Sequence, residues 1–415
     1  MDDVAIIGGG IAGLSLALNL HRHGIPCRVY ERAPEVKELG VGITLLPHAM
    51  REFAALGLDK PLFDAGIEIL ESSFFNRFGQ LIYTEPRGKY GGYQYPEVSI
   101  HRGRLHMILY QAACERLGIG RVLTDHDCVG VEQDTDGVTV AFKQFSTGQM
   151  RAPVRAGVAI GCDGINSVVR KQFYPDDRVA FAGINTWRGV TRRKPIRTGR
   201  TYMRIGSILT GKIVVYPIVN DVDRDGNQLI NWMAEIKRDT FDQNDWNKPG
   251  DLADFLPIYE SYRFDWLDVA ALIRDADQIL EYPMVDKDPI ERWTFGRITL
   301  AGDAAHPMYP RGSNGAAQGA IDARTLTDCL LASRADLPAA LATYEAKRAP
   351  ATAKVVRTNR DHPPDFINIK VEELVGDKPF TNLDDYITQG ELRALSENYK
   401  RIAGFALTDV AQRSR

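Results

Sequence analysis

The chain has 415 residues, of which 44% are hydrophobic and 25% are charged, and its formal net charge at pH 7 is −3. This composition is that of an ordinary globular protein, and the length favours two interlocked domains over one simple core. The nearly balanced charge excludes the strong positive field that nucleic-acid binding requires, so no nucleic acid is expected as a partner.

The N-terminal region contains an apolar stretch that superficially resembles a signal peptide or a membrane segment. Acidic residues precede it where a signal peptide needs cations, glycines interrupt it, and it is too short to span a bilayer. The five cysteines are scattered and include no CxxC pair. We therefore expect no membrane partner, no disulfide framework and no metal site, and a reducing cytoplasm as the location.

The first predicted element is a buried parallel strand at Val4–Ile7, because its residues are apolar and mostly β-branched. A glycine cluster follows, then a helix rich in Ala and Leu from Leu14 to His23, and then a strand at Cys27–Tyr30. Glu31 ends this second strand. A strand, a glycine turn, a helix and a strand ending on an acidic residue are typical of a dinucleotide-binding unit.

Individual positions in this unit have distinct physical roles. Gly8 permits the tight turn, Gly10 lets a pyrophosphate approach the backbone, and Gly13 lets helix and strand pack closely. The N-terminus of the helix offers free N–H groups and a partial positive charge to phosphates. The Glu31 carboxylate is placed to accept hydrogen bonds from ribose hydroxyls, which fits FAD and NAD equally well.

Later segments return to the same kind of unit after an insertion. Buried strands are predicted at Val158–Gly161 and Ile298–Ala301, and a long helix is expected to begin near Gly315. Between them, residues 181–285 alternate in a way that favours a mainly antiparallel sheet. The predicted fold is therefore α/β (α+β), a Rossmann-like FAD-binding domain with an inserted antiparallel substrate domain and C-terminal helices. The nucleotide domain is assigned residues 1–72, 98–180 and 286–361, the sheet domain residues 73–97 and 181–285, and the C-terminal helical segment residues 362–415.

Two further motifs point to a flavoprotein. One runs from Cys162 to Arg170 and contains Asp163; the other runs from Gly302-Asp303 to Ala316. Either aspartate alone would indicate only a turn or a helix cap. In this order after the N-terminal unit, the motifs are specific, and the sequence resembles the group A flavoprotein aromatic hydroxylases over residues 1 to about 355. Within that family it is most similar to the phenazine-modifying monooxygenases and to the salicylate and 3-hydroxybenzoate hydroxylases.

The resemblance implies FAD as the bound cofactor and NADH or NADPH as a transient co-substrate. Arg102 would reach the FAD pyrophosphate, Asp303 would bind ribityl or ribose hydroxyls, and Pro310 would lie near the flavin ring. The residues predicted to bind FAD are Gly8, Gly10, Ile11, Ala12, Gly13, Glu31, Arg32, Gly42, Ile43, Arg102, Asp163, Gly302, Asp303, Pro310, Gly315 and Ala316.

The helix that begins at Gly315 would point its N–H groups at the N1–C2=O edge of the flavin, where the reduced ring is anionic. The sequence departs from the usual family pattern at this point. Asn314 stands where glutamine is frequent, and Ala317 stands where asparagine is frequent.

The implied activity is the hydroxylation of a small aromatic substrate with O2 as co-substrate. In this family NAD(P)H reduces FAD, and O2 then forms a flavin C4a-hydroperoxide whose distal oxygen attacks an electron-rich ring carbon. Bulk water has to be excluded while that peroxide exists. The protein is expected to act as a monomer or a homodimer.

The inserted sheet is expected to form the pocket wall over the flavin. Tyr216, Arg188 and Tyr309 are the candidate catalytic residues, and Tyr202, Arg204 and Tyr216 are the candidate substrate contacts, with Arg204 as a possible clamp for a carboxylate. Structural alternatives stay open for two of them. Tyr216 would then be a core tyrosine with its hydroxyl at the surface, and Arg204 a surface arginine.

Three other functions stay open beside aromatic hydroxylation. The chain could be a flavin monooxygenase that acts on a polycyclic natural product or an alkene, or a flavin-binding protein without turnover. It could also be an NAD-dependent dehydrogenase, which the motifs around Asp163 and Asp303 oppose.

Overall fold

Two large sheets organise the chain, which a computed structural model describes for residues 3–38, 40–240, 248–404 and 406–407. The strands are β1 (Val4–Ile7), β2 (Cys27–Tyr30), β3 (Gly42–Leu45), β4 (Ile67–Glu68), β5 (Glu71–Phe75), β6 (Leu81–Pro86), β7 (Val98–His101), β8 (Val122–Leu123), β9 (Asp127–Gln133), β10 (Val138–Lys143), β11 (Val154–Ala156), β12 (Val158–Gly161), β13 (Val179–Arg193), β14 (Thr201–Ile205), β15 (Lys212–Val219), β16 (Gln228–Lys237), β17 (Lys248–Pro249), β18 (Arg263–Phe264), β19 (Leu267–Asp268), β20 (Ile279–Lys287), β21 (Thr294–Phe295) and β22 (Ile298–Leu300). The helices are α1 (Ile11–Arg22), α2 (Pro47–Ala55), α3 (Asp59–Ala65), α4 (Arg102–Leu117), α5 (Val168–Phe173), α6 (Leu256–Tyr259), α7 (Val269–Arg274), α8 (Gly315–Ala332), α9 (Leu337–Asp361), α10 (Phe366–Val375) and α11 (Gln389–Ile402).

The first sheet has the strand order β21-β22-β12-β1-β2-β8, and β1 is parallel to both of its neighbours. Its central strands are fully buried, which explains why they read as continuous apolar runs rather than as alternating ones. Helix α1 begins at Ile11, one turn earlier than predicted, because the glycine turn leads directly into it. The predicted nucleotide-binding architecture is confirmed.

The second sheet has the strand order β17-β20-β13-β16-β15-β14-β5-β6 and is antiparallel except where β14 pairs parallel with β5. One of its faces packs on α6 and α7, with Trp187 and Trp232 stacked near Phe255. The other face, which we call the inner face, meets the first half of the molecule. The predicted antiparallel sheet is therefore confirmed, while the predicted domain boundaries stay a proposal.

Pairing across this sheet places four residues of the inner face in one row. Arg188 lies opposite Met233, Met233 opposite Val214, and Val214 opposite Arg204. In the next row, Asn231 accepts a hydrogen bond from the Gly42 N–H at 2.7 Å. The second row therefore docks onto β3, and the row from Arg188 to Arg204 runs alongside that contact.

The C-terminal helices cover the edge of the sheet formed by β5 and β6. Ile367 and Val371 of α10 and Leu392 of α11 pack in one cluster with Phe74 and Ile82. Residues 405 and 408–415 of the predicted C-terminal segment lie outside the described residues. None of the helices in the described ranges combines the length and the apolarity that crossing a membrane requires.

A buried ion cluster ties the sheet to these helices. The Lys212 ammonium lies 2.8 Å from Glu235 on the neighbouring strand and 3.0 Å from Asp365, which precedes α10. Arg311 lies 3.7 Å from the same Asp365 carboxylate. Burial alone would raise the pKa of Asp365, but Lys212 and Arg311 outweigh it and hold that pKa below its usual value. The cluster fixes the loop that contains Arg311 relative to the sheet.

Replacing Lys212 with Met keeps the length of the side chain but leaves two buried carboxylates without their main cation. We expect the free energy of unfolding to fall by about 3–5 kcal/mol. Urea unfolding followed by circular dichroism measures this. Lys237→Met, at the exposed end of the neighbouring strand, is the matched control, with an expected change within about 0.5 kcal/mol. Equal losses in the two variants would contradict the role given to the cluster.

Candidate cofactor and substrate site

The turn between β1 and α1 brings three chain segments into contact. Gly8 has φ +105°, and a Cβ there would lie 2.4 Å from the Cys162 carbonyl oxygen at the end of β12. A Cβ on Gly13 would lie 2.0 Å from the Gly8 carbonyl oxygen. A Cβ on Gly10, by contrast, would meet no atom within 4 Å. The turn is thus closed on its inner side and open in front of the helix N-terminus.

Glu31 borders the open side of this turn. Its carboxylate accepts hydrogen bonds from the Gly9 N–H at 2.7 Å and from the Ala33 N–H at 2.8 Å. The neighbouring Arg32 is engaged differently, because its guanidinium stacks on the Phe145 ring at 4.5 Å. Glu31 therefore presents an oriented acceptor beside the turn, whereas the structure gives Arg32 no comparable position.

His106 and Arg102, both on α4, lie against the same region. The His106 ring donates to the Gly9 carbonyl oxygen at 2.6 Å. The sequence gives no indication of this contact, since a single histidine on a helix carries no distinctive signal. Arg102 is the first residue of α4, and its backbone N–H donates to Val41.

Asp163 sits at the end of β12, close to Gly8. Its carboxylate accepts hydrogen bonds from the Ser167 hydroxyl at 2.6 Å and from the Val168 N–H at 2.8 Å, so it holds the start of α5. Burial raises the pKa of Asp163 in spite of these hydrogen bonds. Its predicted contact with the cofactor therefore stays a prediction, since the carboxylate is already occupied within its own loop.

Asp303 lies in a short helical turn, Gly302–Ala304, that faces α1. The side chain has accessible surface, yet desolvation by the surrounding protein raises the pKa of its carboxyl, and the charges of His306 and Arg102 oppose that shift. A carboxylate that keeps accessible surface but is closely surrounded by protein lines a recess and not the outer surface. The charge of Arg102 thus acts on Asp303, and the predicted contacts of both residues with FAD stay predictions.

A buried network behind this turn sets its position. Asp322, which is fully buried, accepts hydrogen bonds from the Gly302 N–H at 3.0 Å and from Arg348 Nε at 2.6 Å, and it also binds His306. Arg348 additionally donates to Gln318 at 2.7 Å. One buried carboxylate thus connects the Asp303 turn to α8 and α9.

Helix α8 begins at Gly315, as predicted, and its N-terminus carries no side-chain cap. The same is true of α1, where Gly10 occupies the cap position. The two helices pack closely, because a Cβ on Gly319 of α8 would lie 3.2 Å from the Ala12 Cβ. Two uncapped helix N-termini, each with free N–H groups and a partial positive charge, therefore face one region.

The chemistry of this region fits FAD. The open turn at Gly10 and the start of α1 suit a pyrophosphate, and Glu31 suits a ribose. Asp303 offers a hydroxyl acceptor between the two helices, and the start of α8 suits an electron-rich ring edge. Across the described residues, no group of three or more His, Cys, Asp or Glu side chains is placed to hold a metal ion.

The inner face of the second sheet carries the predicted substrate residues. Tyr202 and Tyr216 stack with their ring centroids 4.7 Å apart. Arg204 is buried, donates to the Ser72 hydroxyl at 2.6 Å and lies over the Tyr202 ring at 4.5 Å. Arg204 is therefore not a surface arginine, and that alternative is wrong.

The two candidate catalytic tyrosines, Tyr216 and Tyr309, are held in their neutral form. Burial raises the pKa of Tyr216, whose hydroxyl interacts with Thr44 of β3 and not with solvent, so the alternative with a surface hydroxyl is also wrong. Burial and Asp286 raise the pKa of Tyr309 to about 12, and its hydroxyl donates to the Ala180 carbonyl oxygen at 3.4 Å. Neither phenol has the pKa of a general base near neutral pH.

Known proteins are similar to this chain in sequence and in fold. A model of the FAD binding domain family matches residues 1–246 and 269–359. The chain is 39% identical over 364 residues to a phenazine 1,6-dicarboxylic acid hydroxylase of Lysobacter antibioticus, which covers 86% of this chain and 89% of that protein. It is 33% identical to a 3-amino-4-hydroxybenzoate 2-monooxygenase of Streptomyces platensis over 88% of each chain. The Klebsiella pneumoniae HpxO protein, complexed with FAD and uric acid, has a similar fold, with a TM-score of 0.75, 22% identity and coverage of 99% of this chain and 97% of that chain.

Glu31→Ala removes the carboxylate and leaves the Gly9 and Ala33 N–H groups without their acceptor. We expect the affinity of the apoprotein for FAD to fall at least about tenfold, since a charge-assisted acceptor is lost. Quenching of FAD fluorescence on titration measures the change. Glu35→Ala, at an exposed glutamate that pairs with Lys37, is the control and should bind FAD like the parent protein. An unchanged affinity in the Glu31 variant would remove Glu31 from the site.

Asp322 should make stability depend on pH. Burial alone would raise its pKa, but His306 and Arg348 outweigh burial and lower the pKa to about 2. A carboxyl whose pKa is depressed in the folded state contributes stability above the unfolded-state pKa, and this is lost as the pH falls from about 4 to about 2. Asp322→Asn should remove about 2 kcal/mol of that pH-dependent stability, measured by urea unfolding at several pH values. Asp328→Asn, exposed on the same helix, should keep the parent profile, and a parent-like profile for Asp322→Asn would contradict the assignment.

Proposed function

Because this chain belongs to the family of FAD-dependent aromatic hydroxylases, we propose that its substrate is a fused-ring aromatic acid whose carboxylate is bound by Arg188. FAD supplies the oxygen-transfer chemistry, with NAD(P)H as reductant and O2 as co-substrate. What this chain has to add is a pocket that selects the ring system, orients it and keeps water away from the reaction.

The proposal rests on the surroundings of the Arg188 guanidinium, which is desolvated and lacks a close counter-ion in the part of the chain that the structure describes. Its Nε is buried and makes no hydrogen bond with the described residues. No carboxylate of the described residues lies within ion-pair distance, although Glu235 acts on Arg188 electrostatically from farther away. Burial lowers the pKa of Arg188, yet an arginine stays protonated at any physiological pH. A desolvated cation that has no carboxylate of the described residues within ion-pair distance calls for an anionic ligand.

The shape of the inner face supports a ligand longer than one ring. Between Arg188 and Arg204 lie Met233 and Val214, which form an apolar floor across three strand spacings, or about 14 Å. The stacked Tyr202–Tyr216 pair adjoins that floor. The length of this row suits a flat fused-ring system better than a single benzoate ring.

Arg204 is less suited to be the main carboxylate contact. Its guanidinium already donates to Ser72 and lies over the rings of Phe74 and Tyr202, at 4.9 Å and 4.5 Å. The Arg188 guanidinium lies farther from its stacking partner, at 5.4 Å from the Tyr282 ring. We therefore move the carboxylate clamp from Arg204 to Arg188 and assign Arg204 to the far end of the floor.

The catalytic contribution of these side chains is electrostatic. The positive charge of Arg188 would stabilise negative charge on a bound carboxylate or on an ionised hydroxyl of the substrate. Tyr216 and Tyr309 stay protonated and would act as hydrogen-bonding or packing groups and not as bases. The apolar floor would exclude water from the face of the ring.

The five cysteines support a cytoplasmic location, which we also propose. All are free thiols, and four of them are buried. Free buried thiols are usual in a reducing compartment.

A panel of aromatic acids tests the substrate class directly. Holoenzyme is incubated with NADH or NADPH and with phenazine-1-carboxylate, phenazine-1,6-dicarboxylate, 3-hydroxybenzoate or 3-amino-4-hydroxybenzoate, and the product masses are recorded. The proposal requires a fused-ring acid to give the highest kcat/KM and a product that contains one oxygen from O2. A single-ring acid as the best coupled substrate, or peroxide as the only product with every fused-ring acid, would overturn it.

Arg188→Met removes the charge and keeps an apolar side chain. We expect KM for the best acid to rise about tenfold or more, because a charge-assisted contact is lost, and the change to be much smaller for the corresponding carboxamide. Steady-state oxidation of NAD(P)H coupled to product formation measures both. Arg192→Met, exposed on the same strand, is the control and should keep the parent KM. Equal effects on acid and amide would argue against a carboxylate contact.

A further inference from the structure

The C-terminal helix α11 reaches back to the loop at residues 309–314 that precedes α8. The matched family domain ends at residue 359, so α10 and α11 lie beyond it. Tyr399 of α11 is buried against this loop and packs with Leu46. A segment outside the shared domain therefore touches the loop that the family uses beside the flavin ring.

One hydroxyl group joins both ends of the loop. The Tyr399 hydroxyl accepts a hydrogen bond from the Asn314 amide at 2.9 Å and donates to Asn359 Oδ1 at 3.0 Å. Asn359 in turn donates to the Tyr309 carbonyl oxygen at 3.3 Å. The first and last residues of the loop are thus fixed through a single phenol.

The loop has a backbone that needs such support. Gly312 and Ser313 both lie in the left-handed region, with φ values of +74° and +56°. For a serine this conformation is uncommon and persists where the surroundings enforce it. A Cβ on Gly312 would lie 1.8 Å from the Tyr399 hydroxyl oxygen, so the loop and the phenol are in direct contact.

Asn314 is the residue through which the phenol acts on α8. Asparagine in the position before a helix normally caps it by accepting from the first free N–H groups. Here the Asn314 amide donates to Tyr399 and to the Gly312 carbonyl oxygen, and its side chain makes no cap bond. Its Oδ1 is buried and has no hydrogen-bond partner among the described residues. The N–H groups at the start of α8 stay available as a result.

We propose that Tyr399 is a positioning residue for the cofactor: it holds the 309–314 loop and diverts Asn314 from capping α8, which keeps the N-terminus of that helix open to FAD. The C-terminal segment then contributes to the cofactor site. The inference concerns FAD and does not depend on the substrate class.

Tyr399→Phe removes the hydroxyl and little else. Asn314 is then free to cap α8 and to compete with FAD for the same N–H groups, so the affinity for FAD should fall about fivefold. Fluorescence titration of the apoprotein with FAD measures the affinity, and the visible spectrum of the bound flavin reports its surroundings. Tyr386→Phe, exposed in the same C-terminal segment, is the matched control and should retain the parent affinity and spectrum.

Adding Asn314→Ala to Tyr399→Phe separates positioning from general stability. Alanine cannot cap the helix, so the double variant should recover most of the affinity that the single variant loses. Thermal unfolding of all variants is recorded in parallel. A parent-like affinity in Tyr399→Phe would overturn the proposal, as would a loss of affinity that Asn314→Ala does not rescue. Neither result would bear on the acid panel, which tests the substrate class separately.

Discussion

Helix α1 and the turn at Gly302–Ala304 pack so closely that no larger side chain fits between them. A Cβ on Gly302 would lie 2.7 Å from the Ala12 Cβ, and one on Gly319 would lie 3.2 Å from it. Larger side chains at these points would separate the two helix N-termini, and the positive ends of their dipoles would no longer act on the same region. The buried Asp322 carboxylate holds the turn at Gly302 against α8, because it accepts a hydrogen bond from the Gly302 N–H and belongs to α8 itself. The recess at Asp303 follows from that geometry.

The inner face of the second sheet carries more positive than negative charge near this recess. Arg188, Arg204 and Lys212 lie on this face, and Arg311 lies in the loop before α8. The carboxylates near them are those of Glu235 on the same face and Asp365 before α10. Lys212 is fully engaged in its cluster, whereas Arg188 and Arg311 each keep a buried Nε without a hydrogen bond to the described residues. Leaving desolvated donors unsatisfied costs stability, and proteins usually accept such a cost only where a ligand satisfies the donors. The distribution of charge thus favours an anionic ligand on this side of the molecule.

The nucleotide unit and the position of α8 could be predicted because their determinants are local. The geometry of the nucleotide unit is set by a strand, a glycine turn and an acidic residue that lie within about thirty positions of one another. The start of a helix at Gly315 likewise follows from the neighbouring sequence. The choice between Arg188 and Arg204 could not be predicted, since it depends on Ser72, a residue more than a hundred positions away in sequence. Tyr399 was missed for a related reason. The C-terminal helical segment has the pattern of polar helices, and the role of Tyr399 is visible only in its contacts with Gly312 and Asn314.

The pairing order of the first sheet has a consequence for how the protein is made. Val4 pairs with Val158, and Ala159 pairs with Ile298, so the sheet is complete only when strands from three distant parts of the chain have been synthesised. Contacts of such long range form slowly, and the early strands leave the ribosome with unpaired edges. The Asp303 turn and α8 emerge after these strands, and Tyr399 emerges after α8. The first sheet therefore assembles only after these distant segments have been synthesised, and until β12 emerges one edge of β1 stays without its partner strand.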